Sequence, residues 1–294
     1  MKGTCFIYAN CQGAGIRNFL CLSRDFSRRF HVETFSNWEA RPFPARRLSA
    51  CDLLIHQPTA DRGDLAPSTG AMRAALRPGA LSVSFPYLYF NGFWPFHERS
   101  GNADTGKCFP RERHYYADSM LDRLARTELP VQRVVKIYLG LDFTGDYDVR
   151  AGCRASLRYQ EEKEQSLDVV SHDLVAALWR KKRLFLTVRH PTNLLYYLVA
   201  NRILEKIGLP ALDAGLFAAA PSPYAVAYEH PIHPCIADVL GLSWLGEDPR
   251  YMIWGEAFSY PEYLADYVAF RRLQYAAGRG EESREDRRAA AFAG

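Results

Sequence analysis

A parallel α/β core carrying a large, mainly helical C-terminal part is the fold class this sequence predicts, and three observations predict it. Short apolar runs alternate with short helical-period segments as far as Phe85, the pattern of parallel strands wound with helices. The first run leads through a tight polar turn straight into a helix. Beyond Arg113 helical spacing takes over, apart from one late apolar run. Residues 1–112 are therefore read as the α/β core. Residues 113–277 are read as a mainly helical part that returns one strand (183–189) to the sheet, and 278–294 as a charged, flexible tail.

The first strand is Thr4-Cys5-Phe6-Ile7-Tyr8-Ala9, followed by the polar turn Asn10-Cys11-Gln12-Gly13. Ile16, Phe19, Leu20 and Leu22 then recur at helical spacing. Strand, tight turn and helix together present a nucleophile or an anion site at the carboxyl end of a parallel sheet. Cys11 would face the first N–H groups of the helix, whose field favours a thiolate and negative charge developing beside it. The backbone N–H groups of Gln12 and Gly13, with Asn10 or Asn91, could then stabilise an oxyanion. Two other readings stay open. Cys11 could be a buried structural thiol. Alternatively, Gly13-Ala14-Gly15 could open a dinucleotide site with Glu33 ending a second strand, although Asn18 stands where that fingerprint needs a third small residue.

Composition narrows the partners. Of 294 residues, 48% are hydrophobic and 24% charged, the balance of an ordinary globular protein. A net charge of +4 suits an anionic ligand but lacks the clustered basic signature of nucleic-acid binding, so no nucleic acid is expected. The seven scattered cysteines form no C-x-x-C pair, which argues against a disulfide framework or a zinc ribbon. No charged-then-apolar leader opens the chain, and no apolar run reaches spanning length. A cytoplasmic protein with reduced thiols is the expectation.

Further along, Arg24 to Arg29 reads as a basic turn, Phe30 to Phe35 as the second strand and Arg41 to Arg47 as a loop. The third strand, Asp52 to Pro58, places His56 at the carboxyl edge, where open α/β sheets keep their sites. A short helix over 70–76 and a fourth strand over 80–85 follow. Phe85 to Phe96 is densely aromatic, and its two prolines and Asn91-Gly92 make it a structured loop. It reads either as a lid packed on the core or as an apolar wall for a thin ligand or sugar face, with Asn91 as a donor.

The later chain reads as helices over 118–129, 131–139 and 149–182, the last as one helix or a pair. Glu161 to Glu164 looks like a solvated face. Arg180-Lys181-Lys182-Arg183 either complements a helix C-terminus or clamps phosphate. Leu184 to Arg189 reads as a strand, and His190-Pro191-Thr192-Asn193 as its switch into a helix over 194–207, since the residue before proline prefers extended geometry. If that strand joins the sheet in parallel, His190 shares an edge with Cys11 and becomes the candidate catalytic base. Residues 218–223 read as a surface loop, and helices around Ala237 and over 261–277 complete the fold. His230, His233 and Cys235 cluster in sequence, but the prolines between them and a missing fourth ligand argue against zinc, so no metal is expected.

Asn10-Cys11-Gln12, the aromatic segment from Phe85 to Pro95 and the run Thr187-Val188-Arg189-His190-Pro191-Thr192-Asn193 occur in that order. In this ordered set the sequence resembles the WcbI-type family of capsular polysaccharide biosynthesis proteins. The resemblance implies a coenzyme A-binding O-acetyltransferase that uses acetyl-coenzyme A and a sugar or polysaccharide precursor, with other capsule-biosynthesis enzymes as partners. It implies catalytic places for Cys11 and His190, with His56 on the substrate side. The pantetheine arm would pass Tyr87, Phe90 and Trp94. The phosphates would meet Arg180, Lys182 and Arg189, with Asn193 nearby. The opening also resembles the SGNH/GDSL hydrolases, which implies an SGNH- or flavodoxin-like core and, as an alternative activity, a carbohydrate esterase. A non-catalytic coenzyme A- or nucleotide-binding protein is the third reading. Here Cys11 replaces the serine of that hydrolase family, and Thr187 stands three residues before His190 where those enzymes carry an acid, so the orienting acid stays unassigned.

Overall fold

The structure, a computed structural model, describes residues 2–37, 43–60, 68–99, 113–114, 116–145, 147–220 and 228–292, with only the backbone at 98–99, 218–219 and 277–292. Parts of the expected loops over 41–47 and 218–223 lie outside the described residues. The chain forms two compact units, Met1–Phe90 with Cys153–Val226, and Asn91–Gly152 with Ala227–Gly294. The first unit thus runs to Phe90 and resumes within the Val149–Glu164 helix.

The first unit is built on four parallel strands, β1 (Gly3–Ala9), β2 (Phe30–Ser36), β3 (Leu53–His56) and β4 (Leu81–Ser84), ordered β2-β1-β3-β4. The central strands β1 and β3 are buried on both faces, which is why their sequences run apolar without alternation. Helix α1 (Gln12–Leu22) covers the face bearing Ile7, Ala9 and Thr34. A Cβ added to Gly13 would stand 3.0 Å from the Ala9 Cβ and 3.6 Å from the Ile7 and Thr34 methyls. Phe6, Tyr8 and Leu54 point the other way, into a cluster with Phe43, Leu48, Cys51 and Met72.

Three local expectations are corrected. Arg24–Arg29 is not a turn but a short helix, α2. Ser23 accepts the Phe26 N–H at 3.3 Å, Asp25 lies in the first turn, Arg28 and Arg29 lie in the last, and Phe26 is buried beneath. The strand expected over 183–189 shrinks to Phe185–Thr187 and leaves the four-stranded sheet. It pairs antiparallel with His190–Pro191 as a small hairpin. The Thr187 hydroxyl oxygen reverses the chain there by accepting the N–H groups of Arg189 and His190, a local bond that competes with strand continuation. The last helix runs Tyr260–Phe292, so the backbone of the charged, alanine-rich segment expected as a tail continues it.

The Asn193–Lys206 helix buries Leu195, Tyr196, Val199, Ala200, Ile203 and Leu204 and lies against α1. Their approach passes over Gly15, where an added Cβ would fall 2.5–2.7 Å from the Tyr196 ring.

The second unit holds two antiparallel hairpins, His97–Arg99 with Tyr116–Asp118 and Tyr251–Ile253 with Glu256–Phe258, together with helices Ser119–Ala125, Val131–Leu139, Pro234–Leu240 and Tyr260–Phe292. Its interior is aromatic: Trp94 stacks on His230 at 5.1 Å and donates its indole N–H to the Pro231 carbonyl at 2.9 Å. Among the described residues no helix is long and apolar enough to cross a membrane.

Gly15→Ala should overpack the contact between α1 and the Asn193–Lys206 helix and lower stability by about 1–3 kcal/mol. Urea denaturation would measure it, and an unchanged midpoint would mean that the two helices separate freely.

Candidate active site

At the end of β1 the chain folds tightly onto α1. The Gly13 N–H donates to the Asn10 carbonyl and the Gln12 N–H to Asn10 Oδ1, each at 2.9 Å. Cys11 is the N-cap residue of α1, at φ −52° and ψ −21°, and its side chain is exposed and caps nothing. It therefore presents a thiol at the start of an 11-residue helix, a place that favours negative charge. Both backbone N–H groups expected to hold an oxyanion are engaged by Asn10 within the turn itself.

Gln12 is fully buried and uses the whole capacity of its amide. Its Nε2 donates to the carbonyls of Leu88 and Arg189, both at 2.8 Å. Its Oε1 accepts from the Leu88 N–H at 3.0 Å and from Gln57 Nε2 at 2.9 Å. Gln57 Oε1 accepts the Asn10 N–H at 3.0 Å, and Gln57 Nε2 also donates to the Pro86 carbonyl at 3.2 Å. Two amide side chains thus join the ends of β1 and β3, the 86–88 loop and the 187–190 turn. The junction lies where the strand order reverses between β1 and β3, the crevice in which open α/β sheets bind ligands.

The Gln12–Arg189 bond places His190 one residue from the Cys11 turn by a route other than the expected parallel strand. His190 is half-buried, and its Nδ1 lies 3.1 Å from Thr187 Oγ1. Burial, and then the neighbouring Arg189 charge, push its pKa down to about 4.

The other expected site residues are placed as follows. His56 is in register with Tyr8 and Ser84, so it points to the face opposite α1, with Nε2 3.2 Å from Ser82 Oγ. Burial, and then Arg73, push it to about 4 as well. Phe90 is buried between Phe185 and Trp179, with centroids at 5.8 and 6.1 Å. Tyr87 is exposed and stacks on Tyr89, which meets Tyr159 edge-on. Arg180 is exposed over the Trp179 ring at 4.6 Å, and Lys182 is exposed. Asn193 donates its amide to the Ala220 carbonyl. Asn91 and Trp94 belong to the second unit, where the Asn91 carbonyl accepts the Trp94 N–H. His233 Nδ1 accepts the Cys235 N–H at the start of the Pro234–Leu240 helix. Sequence reasoning missed Gln57 and Thr187. Gln57 sat directly after a strand end already marked as a site edge, and Thr187 sat at the position compared with an acid.

Gln12→Leu would strand the Leu88 N–H and several carbonyls, each costing about 1–3 kcal/mol. Gln57→Leu should also destabilise, and the double variant should lose less than the sum; denaturant melts would measure the cycle, and strict additivity would refute the shared network. Unfolded histidine binds a proton near 6.5, whereas folded His56 and His190 stay neutral down to about 4. Stability should therefore be full above that range and fall as pH drops from 6.5 to 4. For the buried His56 the slope is about 1.4 kcal/mol per pH unit at most. His56→Gln should flatten this acid slope by about one proton's share, read from melts across pH.

Comparison with known proteins follows the same residues. The model of the family described as the polysaccharide biosynthesis enzyme WcbI matches residues 4–212. No curated protein matches the chain significantly. A solved structure of WcbI, described as a novel polysaccharide biosynthesis enzyme, matches with a TM-score of 0.71 at 20% identity, covering 92% of this chain and 90% of the other. That structure is described as the native protein without a disulfide bond between coenzyme A and one of its cysteines. At that identity the likeness carries the fold alone. The matched family segment includes β1, Cys11, the Gln12 network and the His190 turn, and it spans well over half of the chain. This protein belongs to the WcbI family of polysaccharide biosynthesis enzymes.

Proposed function

We propose that this protein is a coenzyme A-dependent O-acetyltransferase that moves acetyl from acetyl-coenzyme A to a sugar hydroxyl in capsular polysaccharide biosynthesis. The observation that carries the reading is the exposed Cys11 thiol at the start of α1, in the crevice where the strand order reverses. Two facts support the acyl donor: the family is one of polysaccharide biosynthesis, and the solved neighbour is described in terms of coenzyme A and a cysteine.

In the forward reaction the Cys11 sulfur attacks the thioester carbonyl, the bond from that carbon to the coenzyme A sulfur breaks, and coenzyme A departs as the thiol carrying the Cys11 proton. One thioester replaces another, so the step is close to balanced. The sugar hydroxyl then attacks acetyl-Cys11 and releases the cysteine sulfur. Asn10 holds the turn with its Oδ1, and its Nδ2 is an amide donor we assign to the developing oxyanion. The exposed Arg180 and Lys182 are the cations we assign to the phosphates. The protein would work in the cytoplasm, where thiols stay reduced.

Coenzyme A and acetyl-coenzyme A should raise the melting temperature and NAD should not; a hundredfold excess over Kd is worth about 2.7 kcal/mol. A shift with NAD alone would overturn the reading. Cys11→Ala should keep coenzyme A binding and lose acetyl transfer, and full transfer by that variant would rule out the acyl-cysteine.

A further inference from the structure

We infer that His190 serves as a neutral hydrogen-bond donor through Nε2, with Thr187 as the positioning residue that selects this tautomer, and that His190 is not the catalytic base. What Nε2 donates to rests on the acyl-transfer reading above; the tautomer does not.

The geometry is a matter of lone pairs. A threonine hydroxyl has two acceptor sites and one donor. The backbone N–H groups of Arg189 and His190 approach Thr187 Oγ1 at 3.3 and 3.2 Å and take both acceptor sites. His190 Nδ1 stands 3.1 Å from the same oxygen. An Nδ1–H pointing there would meet no lone pair, whereas a bare Nδ1 can accept the hydroxyl proton. The neutral ring then carries its proton on Nε2. Thr187 is fully buried, so water cannot rearrange this arrangement cheaply. Protonating the ring would put an N–H against a saturated oxygen, in keeping with the lowered pKa of the group.

A carboxylate in place of Thr187 would do the reverse. It would accept from Nδ1–H and leave Nε2 bare as a base, the logic of an acid–histidine pair. A hydroxyl with both lone pairs filled selects a donor instead. Such a donor adds to the Asn10 amide, because Asn10 already occupies the Gln12 and Gly13 N–H groups. As sulfur attacks the acetyl carbonyl, the oxygen gains charge and Nε2–H bonds it. Collapse breaks the carbon–sulfur bond. In the second half-reaction the acceptor hydroxyl proton ends on the departing Cys11 sulfur, which leaves as a thiol, so no imidazolium forms and the atoms balance.

Nitrogen NMR of the histidine rings in the ligand-free, full-length protein tests the tautomer without any activity, with His190→Gln assigning the signals. A pyridine-type Nδ1 with a pyrrole-type Nε2 is expected, retained in Thr187→Ser and reversed in Thr187→Asp. A pyrrole-type Nδ1 in the wild type would overturn the inference. The donor role is read from the rate at which acetyl-coenzyme A adds acetyl to Cys11, followed by intact mass. His190→Ala should slow it about 10²–10³-fold, the usual loss for one oxyanion donor. His190→Gln, which keeps an N–H but cannot take a proton, should recover most of that rate. Equal loss in both variants would refute the donor role. A wild type that never acquires acetyl would instead refute the acyl-transfer reading while the ring spectrum stands.

Discussion

The buried amide of Gln12 is the interaction on which the site depends. Four hydrogen bonds fill the capacity of this fully buried amide, and losing any one would leave an unpaired polar group in a low-dielectric surrounding. The groups it ties together lie far apart in sequence, up to 177 residues in the bond to Arg189. Closing such long loops costs entropy that grows only slowly with length, so one well-satisfied amide can organise three distant segments. The Cys11 turn, the 86–88 loop and the His190 turn acquire fixed places through it.

The sheet supplies the platform for this junction. β1 and β3 are central and buried on both faces, and the strand order reverses between their carboxyl ends, the position at which open α/β sheets bind ligands. Gly13 and Gly15 let α1 sit low over β1 and close against the Asn193–Lys206 helix. That close seat brings the Cys11 end of α1 to the sheet edge.

The turn also explains a division of labour. Helix starts are natural anion sites because their first N–H groups are unpaired. Here the Asn10 side chain and carbonyl fill two of them, which stabilises the turn and withdraws those donors from chemistry. In the proposed reaction, donors for a developing oxyanion would then be side chains, Asn10 within the turn or groups brought in by tertiary structure. In the role proposed for His190 the Thr187–His190 hairpin supplies one, and the same two N–H bonds that reverse the chain there would also set the imidazole proton.

Local physics made a large part of this legible. Apolar runs placed β1 to β4, and helical periodicity placed α1 and most later helices. The strand–turn–helix opening put Cys11 at the sheet edge, because these features depend only on residues a few positions apart. Other features were not legible. Ser23 capping turned an expected turn into α2, and Thr187 turned an expected sheet strand into a hairpin; each outcome rested on one side-chain bond competing with the backbone pattern. A glutamine in sequence looks the same whether it is solvated or holds four partners, so Gln12 read as a turn residue offering its backbone N–H, and Gln57 only as part of a strand end. Phe90 lay in a segment that read either as a lid packed on the core or as a ligand wall, and tertiary packing encloses it between Phe185 and Trp179. By itself the sequence determined the strands, the helices and the place of Cys11, through periodicity and turn chemistry. Only the tertiary structure decided which distant polar groups meet, because burial removes water as a competitor and leaves each buried donor and acceptor to find its partner across the fold.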